Sequence, residues 1–153
     1  AKQDQWSEKR KQVDLVALID SLCQDLSDIG IAVECQLNDK ISYSCRPIAL
    51  RRAFSNLIEN GVKYGKSVSV KILEEKEQIK ITISDQGPGI EQTQQQRLFE
   101  PFERLDESRN HQSGGLGLGL TIALTIIRGH GGDITLHNRE VNGLDVIVIL
   151  PKQ

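Results

Sequence analysis

The sequence predicts an α/β sandwich, in which helices cover one face of a mixed sheet. Apolar side chains alternate strictly over 68–72 and 79–83, and the polar run 75–77 between them predicts a hairpin. Apolar side chains at helical spacing over 47–62 predict an amphipathic helix. We therefore expect a mostly antiparallel sheet of about five strands, with about three helices packed on one face.

The other elements follow from the same patterns in chain order. Before the central helix, the pattern predicts short strands and one helix: strand 12–14, helix 15–28, strand 31–37 and strand 39–45. Pro47 belongs in the first turn of the central helix. After the first hairpin we expect a helix that ends at a glycine and a closing hairpin: helix 117–129 with Gly129 at its end, and strands 133–139 and 144–150 joined at Asn142-Gly143.

Length, charge and cysteine spacing narrow the class of protein. At 153 residues the chain suits one domain, which we place at 12–153, with 1–11 as a lead-in from an upstream segment. The net charge of −2 gives no reason to expect nucleic acid or an anionic membrane as partner. No apolar run approaches the roughly 20 residues that cross a bilayer, and no signal peptide is visible. The three cysteines and three histidines lack metal spacing, so buried or free thiols are expected.

The central helix combines a core face with a chemically distinctive polar face. The core face is the apolar stripe Leu50, Phe54, Leu57, Ile58 and Gly61. The polar face places four side chains at i, i+4, i+7 and i+8: Asn56, Asn60, Lys63 and Tyr64. Carboxamide oxygens suit a hard cation, lysine a phosphate and tyrosine a flat base. On this segment alone, an ordinary solvated helix face is an equally good interpretation.

Two glycine motifs favour the binding interpretation. Asp85, Gly87, Gly89 and Ile90 directly follow a strand, so a carboxylate stands at a sheet edge where the backbone can approach a ligand; the alternative is a plain tight turn. Residues 113–120 predict a glycine loop that opens an apolar helix and offers free N–H groups to an anion; the alternative is a flexible linker. The lysine of a Walker loop, the third Rossmann glycine and the protein-kinase signatures are absent.

These motifs, with Leu98-Phe99-Glu100-Pro101-Phe102 between the glycine motifs, resemble the N box, first glycine box, F box and second glycine box of bacterial sensor histidine kinases. The resemblance covers residues 12 to 151. It implies the ATP-binding fold shared with DNA gyrase, the heat-shock chaperone ATPases and the mismatch-repair ATPases, including an ATP lid. The polar stretch 103–113 resembles that mobile lid.

The resemblance also implies roles for individual residues. Asp85 would accept a hydrogen bond from the adenine amino group, Tyr64 would pack on the base and Asn60 would ligate Mg²⁺. Lys63 and Arg104 would pair with phosphate oxygens. The implied catalytic residues are Asn56, Glu59, Lys63 and Arg104. The implied ATP-binding residues are Asn56, Asn60, Lys63, Tyr64, Asp85, Gly87, Gly89, Ile90, Phe99, Phe102, Arg104, Gly115, Leu116, Gly117, Leu118, Gly119 and Leu120.

The function implied is phosphoryl transfer from MgATP to a histidine on a helical dimerisation and phosphoacceptor domain of the same parent, and indirectly to a response regulator. None of the three histidines lies in a helix before the domain. We expect a monomeric, cytoplasmic domain of an inner-membrane sensor. One alternative is an ATP-hydrolysing member of the superfamily, although Asn56 stands where those enzymes carry a glutamate and Glu59 would have to be the base. Another is a nucleotide-binding regulatory module. Gly61 and Leu116 depart from the alanine and threonine common in the kinases.

Overall fold

The structure is a computed structural model that describes residues 7–36, 39–85, 111–139 and 143–152, with the backbone alone at 64–65 and 111–118. Ten helices and strands are described in chain order: β1 (Lys11–Asp14), α1 (Leu15–Asp28), β2 (Val33–Gln36), β3 (Ser42–Cys45), α2 (Pro47–Gly65), β4 (Val68–Glu74), β5 (Gln78–Asp85), α3 (His111–Gly129), β6 (Asp133–Asn138) and β7 (Leu144–Pro151). Type and order agree with the sequence prediction throughout.

Five of the strands form one sheet in the order β2-β4-β5-β7-β6, and β1 pairs with β3 in a separate two-stranded sheet. β2 runs parallel to β4, and every other neighbouring pair in the large sheet is antiparallel. Val70 lies opposite Ile83 and Ile72 opposite Ile81, so the alternating apolar residues share one face. The Glu75 N–H donates to the Gln78 carbonyl at 2.8 Å, which closes the predicted hairpin. The predicted mixed, mostly antiparallel sheet is confirmed.

The core lies between that apolar sheet face and the helices. The predicted stripe of α2 is fully buried, since Leu50, Phe54, Leu57 and Ile58 are each at most 1% exposed. These side chains pack in one cluster with the apolar residues of α1, α3 and the inward face of β4, β5 and β7. The helix-on-sheet sandwich is thereby confirmed. In the part of the chain that is described, no helix is both long and apolar enough to span a membrane.

A neighbouring side chain caps α1, and a side chain distant in sequence caps α2. Asp14 caps α1 by accepting a hydrogen bond from the Val16 N–H at 3.1 Å, and the same oxygen accepts from the Ile41 N–H at 3.2 Å. The side chain of Arg46, the N-cap residue of α2, makes no capping hydrogen bond. Instead, the Glu8 carboxylate accepts from the first-turn N–H groups of Ile48 at 2.8 Å and Ala49 at 3.0 Å. A residue of the predicted lead-in therefore satisfies orphan donors of the helix that carries the polar face.

Several predicted boundaries need correction. β2 covers Val33–Gln36, which pair with the first four residues of β4, so 31 and 32 precede the strand; residue 37 lies outside the described residues. β3 begins at Ser42 rather than at 39. α2 continues to Gly65 rather than ending at 62. α3 begins at His111 rather than at 117, because the hydrogen-bonded helix extends back through the glycine-rich stretch.

The C-terminal end of α3 is fixed by glycines and by a buried histidine. The helix ends at Gly129 as predicted, but the left-handed residue is Gly131, with φ +86°. The Gly132 N–H donates to the Ile127 carbonyl at 3.0 Å, which completes the capping turn. His130 is 2% exposed; its Nδ1 donates to the Ile126 carbonyl at 2.8 Å, and its Nε2 accepts from the Arg46 N–H at 3.0 Å. Burial lowers the pKa of His130, which keeps the ring neutral and able to accept.

Candidate functional site

The polar face of α2 lies where the helix meets both α3 and the sheet. Asn56 and Asn60 are half-buried, whereas Glu59 and Lys63 are exposed. The side chain of Tyr64 lies outside the described part of the structure. Because α2 is one continuous helix, Asn56, Asn60 and Lys63 share the face that the sequence predicts.

Asn60 lies against a glycine of α3. A Cβ placed on Gly119 would lie 3.0 Å from Asn60 Nδ2, so the missing side chain at Gly119 lets the carboxamide approach the helix. Asn60 Nδ2 is buried and has no hydrogen-bond partner among the described residues. A buried amide left without a partner costs about 1–3 kcal/mol, so native proteins seldom leave one unless a water, ion or ligand completes it. The structure thus brings together the predicted N-box asparagine and the last glycine of the second glycine motif.

Asp85 lies near Gly61, the next residue of α2. It ends β5 and is 5% exposed, so its carboxylate belongs to the interior. A Cβ placed on Gly61 would lie 3.8 Å from the Asp85 Cβ and 2.6 Å from Val68 Cγ2. Gly61 therefore lets α2 pack closely on β4 and β5. Asp85 therefore lies close to the residue of α2 that directly follows Asn60.

An arginine that sequence reasoning missed holds the end of β5. Arg139 Nη1 donates to the Asp85 carbonyl oxygen at 3.3 Å, and its Nε lies 3.9 Å from Asp145 Oδ1. The same Asp145 oxygen accepts a hydrogen bond from Ser84 Oγ at 2.6 Å. Arg139 thereby fixes the backbone beside the predicted base-reading carboxylate. The sequence carries no signal for this contact because Arg139 follows Asp85 by 54 residues.

Glu59 faces along its own helix. Its Oε2 accepts a hydrogen bond from Ser55 Oγ, one turn earlier, at 2.9 Å. The side chain is exposed, whereas that of its neighbour Asn60 is half-buried. The carboxylate therefore has a local partner, and no described contact directs it toward Asn60.

The glycine motif of α3 is helical, which corrects the expectation of an open loop. Gly115 and Gly117 lie beyond the first four residues of α3, so their N–H groups fall within the helical hydrogen-bond ladder. Each glycine weakens a helix by up to ~1 kcal/mol relative to alanine, so this end of α3 is intrinsically weak. Leu120 is 3% exposed and packs in the core, which leaves only its backbone for a ligand.

The remaining predicted residues cannot be placed. Six of them lie outside the described residues: Gly87, Gly89, Ile90, Phe99, Phe102 and Arg104. For Leu116 and Leu118 only the backbone is described, within α3. In the described ranges no three side chains of His, Cys, Asp or Glu gather as a metal site.

A separate hollow of about 460 Å³ lies at the sheet end on the side of Arg139. Val33, Val68, Ser84 and Arg139 are among its lining residues, and none of the predicted site residues is. It lies next to the candidate site without being part of it.

Comparison with known proteins identifies the family. The family of histidine kinase-, DNA gyrase B- and HSP90-like ATPases matches residues 45–153. The histidine-protein kinase BaeS of Escherichia coli is 32% identical over 150 residues, which are 94% of this chain and 32% of BaeS. The sensor histidine kinase CpxA of Escherichia coli is 37% identical over 106 residues, which are 69% of this chain and 23% of CpxA. This chain thus spans about a third or less of these relatives.

Solved structures agree. The ATP-binding domain of PrrB from Mycobacterium tuberculosis superposes with a TM-score of 0.77 at 26% identity, covering 95% of this chain and 98% of that one. The mycobacterial sensor histidine kinase MprB superposes with a TM-score of 0.78 at 24% identity, covering 94% of this chain and 98% of that one, which supports the fold. With its fold, its helix α2 and its matched region together, the chain belongs to the family of histidine kinase-, DNA gyrase B- and HSP90-like ATPases, and its relatives are sensor histidine kinases.

Proposed function

We propose that this domain binds MgATP and donates the γ-phosphoryl group to a histidine on a separate helical dimerisation and phosphoacceptor domain of the same parent. The single observation that carries the proposal is the buried, unpartnered carboxamide nitrogen of Asn60, which lies against Gly119. The parent would be an inner-membrane sensor that passes the phosphoryl group on to a response regulator. The domain itself would be cytoplasmic and monomeric.

Asn60 would provide the protein oxygen to Mg²⁺. The two ends of a carboxamide differ only in oxygen and nitrogen, so a half-turn of the group presents Oδ1 where Nδ2 now lies. Mg²⁺ usually takes one or two protein ligands and keeps waters or phosphate oxygens as the rest, which fits a site with one asparagine and no described carboxylate cluster. The ion would neutralise phosphate charge.

Asp85 would select adenine. Its carboxylate is 5% exposed, and a buried carboxylate accepts hydrogen bonds but donates none. It would accept from the exocyclic amino group of adenine, whereas guanine presents an oxygen at that position and would be repelled. Arg139 would keep Asp85 in place through its bond to the Asp85 carbonyl.

Phosphoryl transfer asks the protein mainly for positioning and charge neutralisation. Lys63 is exposed in the last turn of α2, where its ammonium can reach a phosphate. Arg104 would add a second cation, and Tyr64 would pack on the base. Asn56, a neutral amide, would orient groups rather than take a proton. The Ser55 hydrogen bond holds Glu59 in a fixed orientation, which suits a supporting role better than that of a free base.

Calorimetry tests the nucleotide site. We expect ADP and ATP to bind more tightly than GTP, and Asp85→Asn to lose most of the adenine preference. Thr82→Ala is the matched control, because Thr82 is a partly buried polar residue of the same strand that has no proposed role in the site. Equal affinity for ATP and GTP would remove the base-reading role. A folded Asn60→Ala variant with an unchanged Mg²⁺ dependence would remove the metal role.

A labelling experiment tests the reaction. Alone, the domain should bind γ-labelled ATP without stable self-labelling. Mixed with the helical domain of its parent, it should yield an acid-labile, base-stable phosphohistidine there. Rapid multiple-turnover hydrolysis without that partner would favour the ATP-hydrolysing alternative, and its loss in Glu59→Gln would identify the base. Nucleotide binding with neither activity would favour the regulatory module.

A further inference from the structure

Asp85 stands at the point where the pairing of β5 with β7 stops. On one side of β5, Asp85 lies opposite Val68 of β4. On the other side, the last described pair is Ser84 with Asp145, so the ladder to β7 ends one residue before Asp85. An interior carbonyl group at such a place takes its donor from elsewhere. Arg139 provides one, since its Nη1 donates to the Asp85 carbonyl oxygen at 3.3 Å.

The backbone of Arg139 is fixed, whereas its side chain has room to move. The Arg139 N–H donates to the Gly143 carbonyl at 3.0 Å, directly after β6, which ties this residue to the closing hairpin. The side chain is 42% exposed and, with Ser84, lines the hollow of about 460 Å³. An exposed arginine side chain has many rotamers, and the hollow gives it space to adopt them. A second contact is therefore required to keep the guanidinium directed at Asp85.

Asp145 makes that second contact from β7. Its Oδ1 lies 3.9 Å from Arg139 Nε and accepts a hydrogen bond from Ser84 Oγ at 2.6 Å. The Ser84 hydroxyl holds the carboxylate oxygen in place, so Asp145 attracts the guanidinium from a fixed position. The Asp145 side chain is only 26% exposed, and solvent ions screen this attraction less than that of a fully exposed pair. The guanidinium is thus held at Nε by Asp145 while Nη1 reaches Asp85.

We infer that Arg139 and Asp145 are positioning residues that set the preference for adenine. Asp145 aims the Arg139 guanidinium, and the guanidinium fixes the backbone from which the Asp85 carboxylate extends. A displaced carboxylate accepts a poorer hydrogen bond from adenine and repels the guanine oxygen less. The closing hairpin, which contains no predicted nucleotide contact, thereby acts on base selection. This inference rests on the proposed reading of adenine by Asp85.

Two other roles for Arg139 predict different results. A guanidinium that bound phosphate directly would, when removed, weaken ATP and GTP binding equally, because the two nucleotides carry the same phosphates. A purely structural role would lower the stability of the domain and leave the ratio of the two affinities unchanged. The ratio of ATP affinity to GTP affinity therefore isolates the positioning role.

Calorimetry of ATP and GTP binding to the 153-residue chain, with urea unfolding of each variant, tests the inference. Arg139→Ala should lower the ATP-to-GTP affinity ratio by about threefold to tenfold, the range expected for the loss of one hydrogen bond. Asp145→Asn keeps the shape of the side chain but removes its charge, and it should lower the ratio in the same direction. In the double variant the ratio should be no lower than in Arg139→Ala alone, because Asp145 acts through Arg139.

A second arginine–aspartate pair provides the matched control. Arg128 Nε lies 3.2 Å from Asp133 Oδ1, at the other end of β6 from Arg139. Arg128→Ala removes a contact of the same type away from Asp85, so it should leave the ratio unchanged. Because Asp145→Asn is nearly isosteric, it keeps the test decisive if Arg139→Ala does not fold.

Two results would overturn the inference. One is an unchanged affinity ratio in folded Arg139→Ala or Asp145→Asn. The other is a double variant whose loss, on a logarithmic scale, is the sum of the two single losses, since the residues would then act independently. Asp85→Asn separates this failure from that of the proposed function. If Asp85→Asn loses the adenine preference and Arg139→Ala does not, only the positioning role fails; if Asp85→Asn keeps the preference, the base-reading proposal fails as well.

Discussion

Gly61 is a position where the resemblance to sensor kinases leads us to expect alanine, and the structure supplies a physical reason for glycine. An alanine methyl there would lie 2.6 Å from Val68 Cγ2, whereas carbon atoms in contact usually lie about 3.5–4.0 Å apart. Val68 is 3% exposed and is paired in the sheet on both sides, so its strand cannot easily retreat. A valine side chain is also stiff about χ1. Gly61→Ala should therefore strain the contact between α2 and β4.

The two opposing effects can be compared. Overpacking a core by a methyl group costs about 1–3 kcal/mol. Replacing glycine by alanine inside a helix stabilises the helix by about 0.5–1 kcal/mol. Gly61→Ala should thus lower the free energy of unfolding by up to about 2.5 kcal/mol, although helix propensity by itself predicts an increase.

A double-mutant cycle measured by urea unfolding tests this comparison. Val68→Ala alone should cost about 2 kcal/mol, since it removes two buried methyl groups. In the double variant the Gly61→Ala methyl occupies the space left at Val68. The double variant should therefore lose less stability than the sum of the two single losses, by about 1–2 kcal/mol. Arg52→Ala, at an exposed position of α2, is the control and should change stability by less than about 0.5 kcal/mol.

Two results would refute the reasoning. A stabilised Gly61→Ala variant would mean that the helix and strand separate at little cost. Strict additivity in the cycle would mean that the methyl group and Val68 do not compete for the same space.

Three further predictions follow from packing, capping and titration. Gly132→Ala should lower stability by about 2–3 kcal/mol in urea unfolding, since its Cβ would lie 2.0 Å from the Ile149 carbonyl oxygen; a variant as stable as wild type would contradict that contact. Glu8→Ala should cost about 1 kcal/mol in the same assay, because it removes the cap on the first turn of α2, and an unchanged midpoint would show that water replaces it. His130 is neutral when folded and its pKa is lowered from 6.5, so the unfolded chain binds the proton more readily. Stability from this group should be complete above pH 6.5 and fall as the pH drops below it; His130→Gln should show a flatter pH profile between about pH 7 and 5, and an equal slope would exclude His130 as the cause.

Local patterns along the chain were enough to predict the elements and the polar face of α2. Apolar residues alternate in 68–72 and 79–83, which predicts a sheet with one buried face, and the apolar stripe of α2 predicts a helix that packs on that face. The polar face with Asn56, Asn60 and Lys63 then followed from helix geometry, since residues one or two turns apart share a face. These signals are local, and each was available without knowing the neighbours of the element.

Contacts between distant residues were decided by the tertiary structure. The sequence does not show that β2 pairs in parallel with β4, or that Arg139 holds the Asp85 carbonyl. The start of α3 was mispredicted because glycines that favour a loop in isolation can continue a helix once the rest of that helix packs against α2. Such features depend on packing between elements. The free energy of that packing exceeds the local conformational preferences that a sequence pattern reflects.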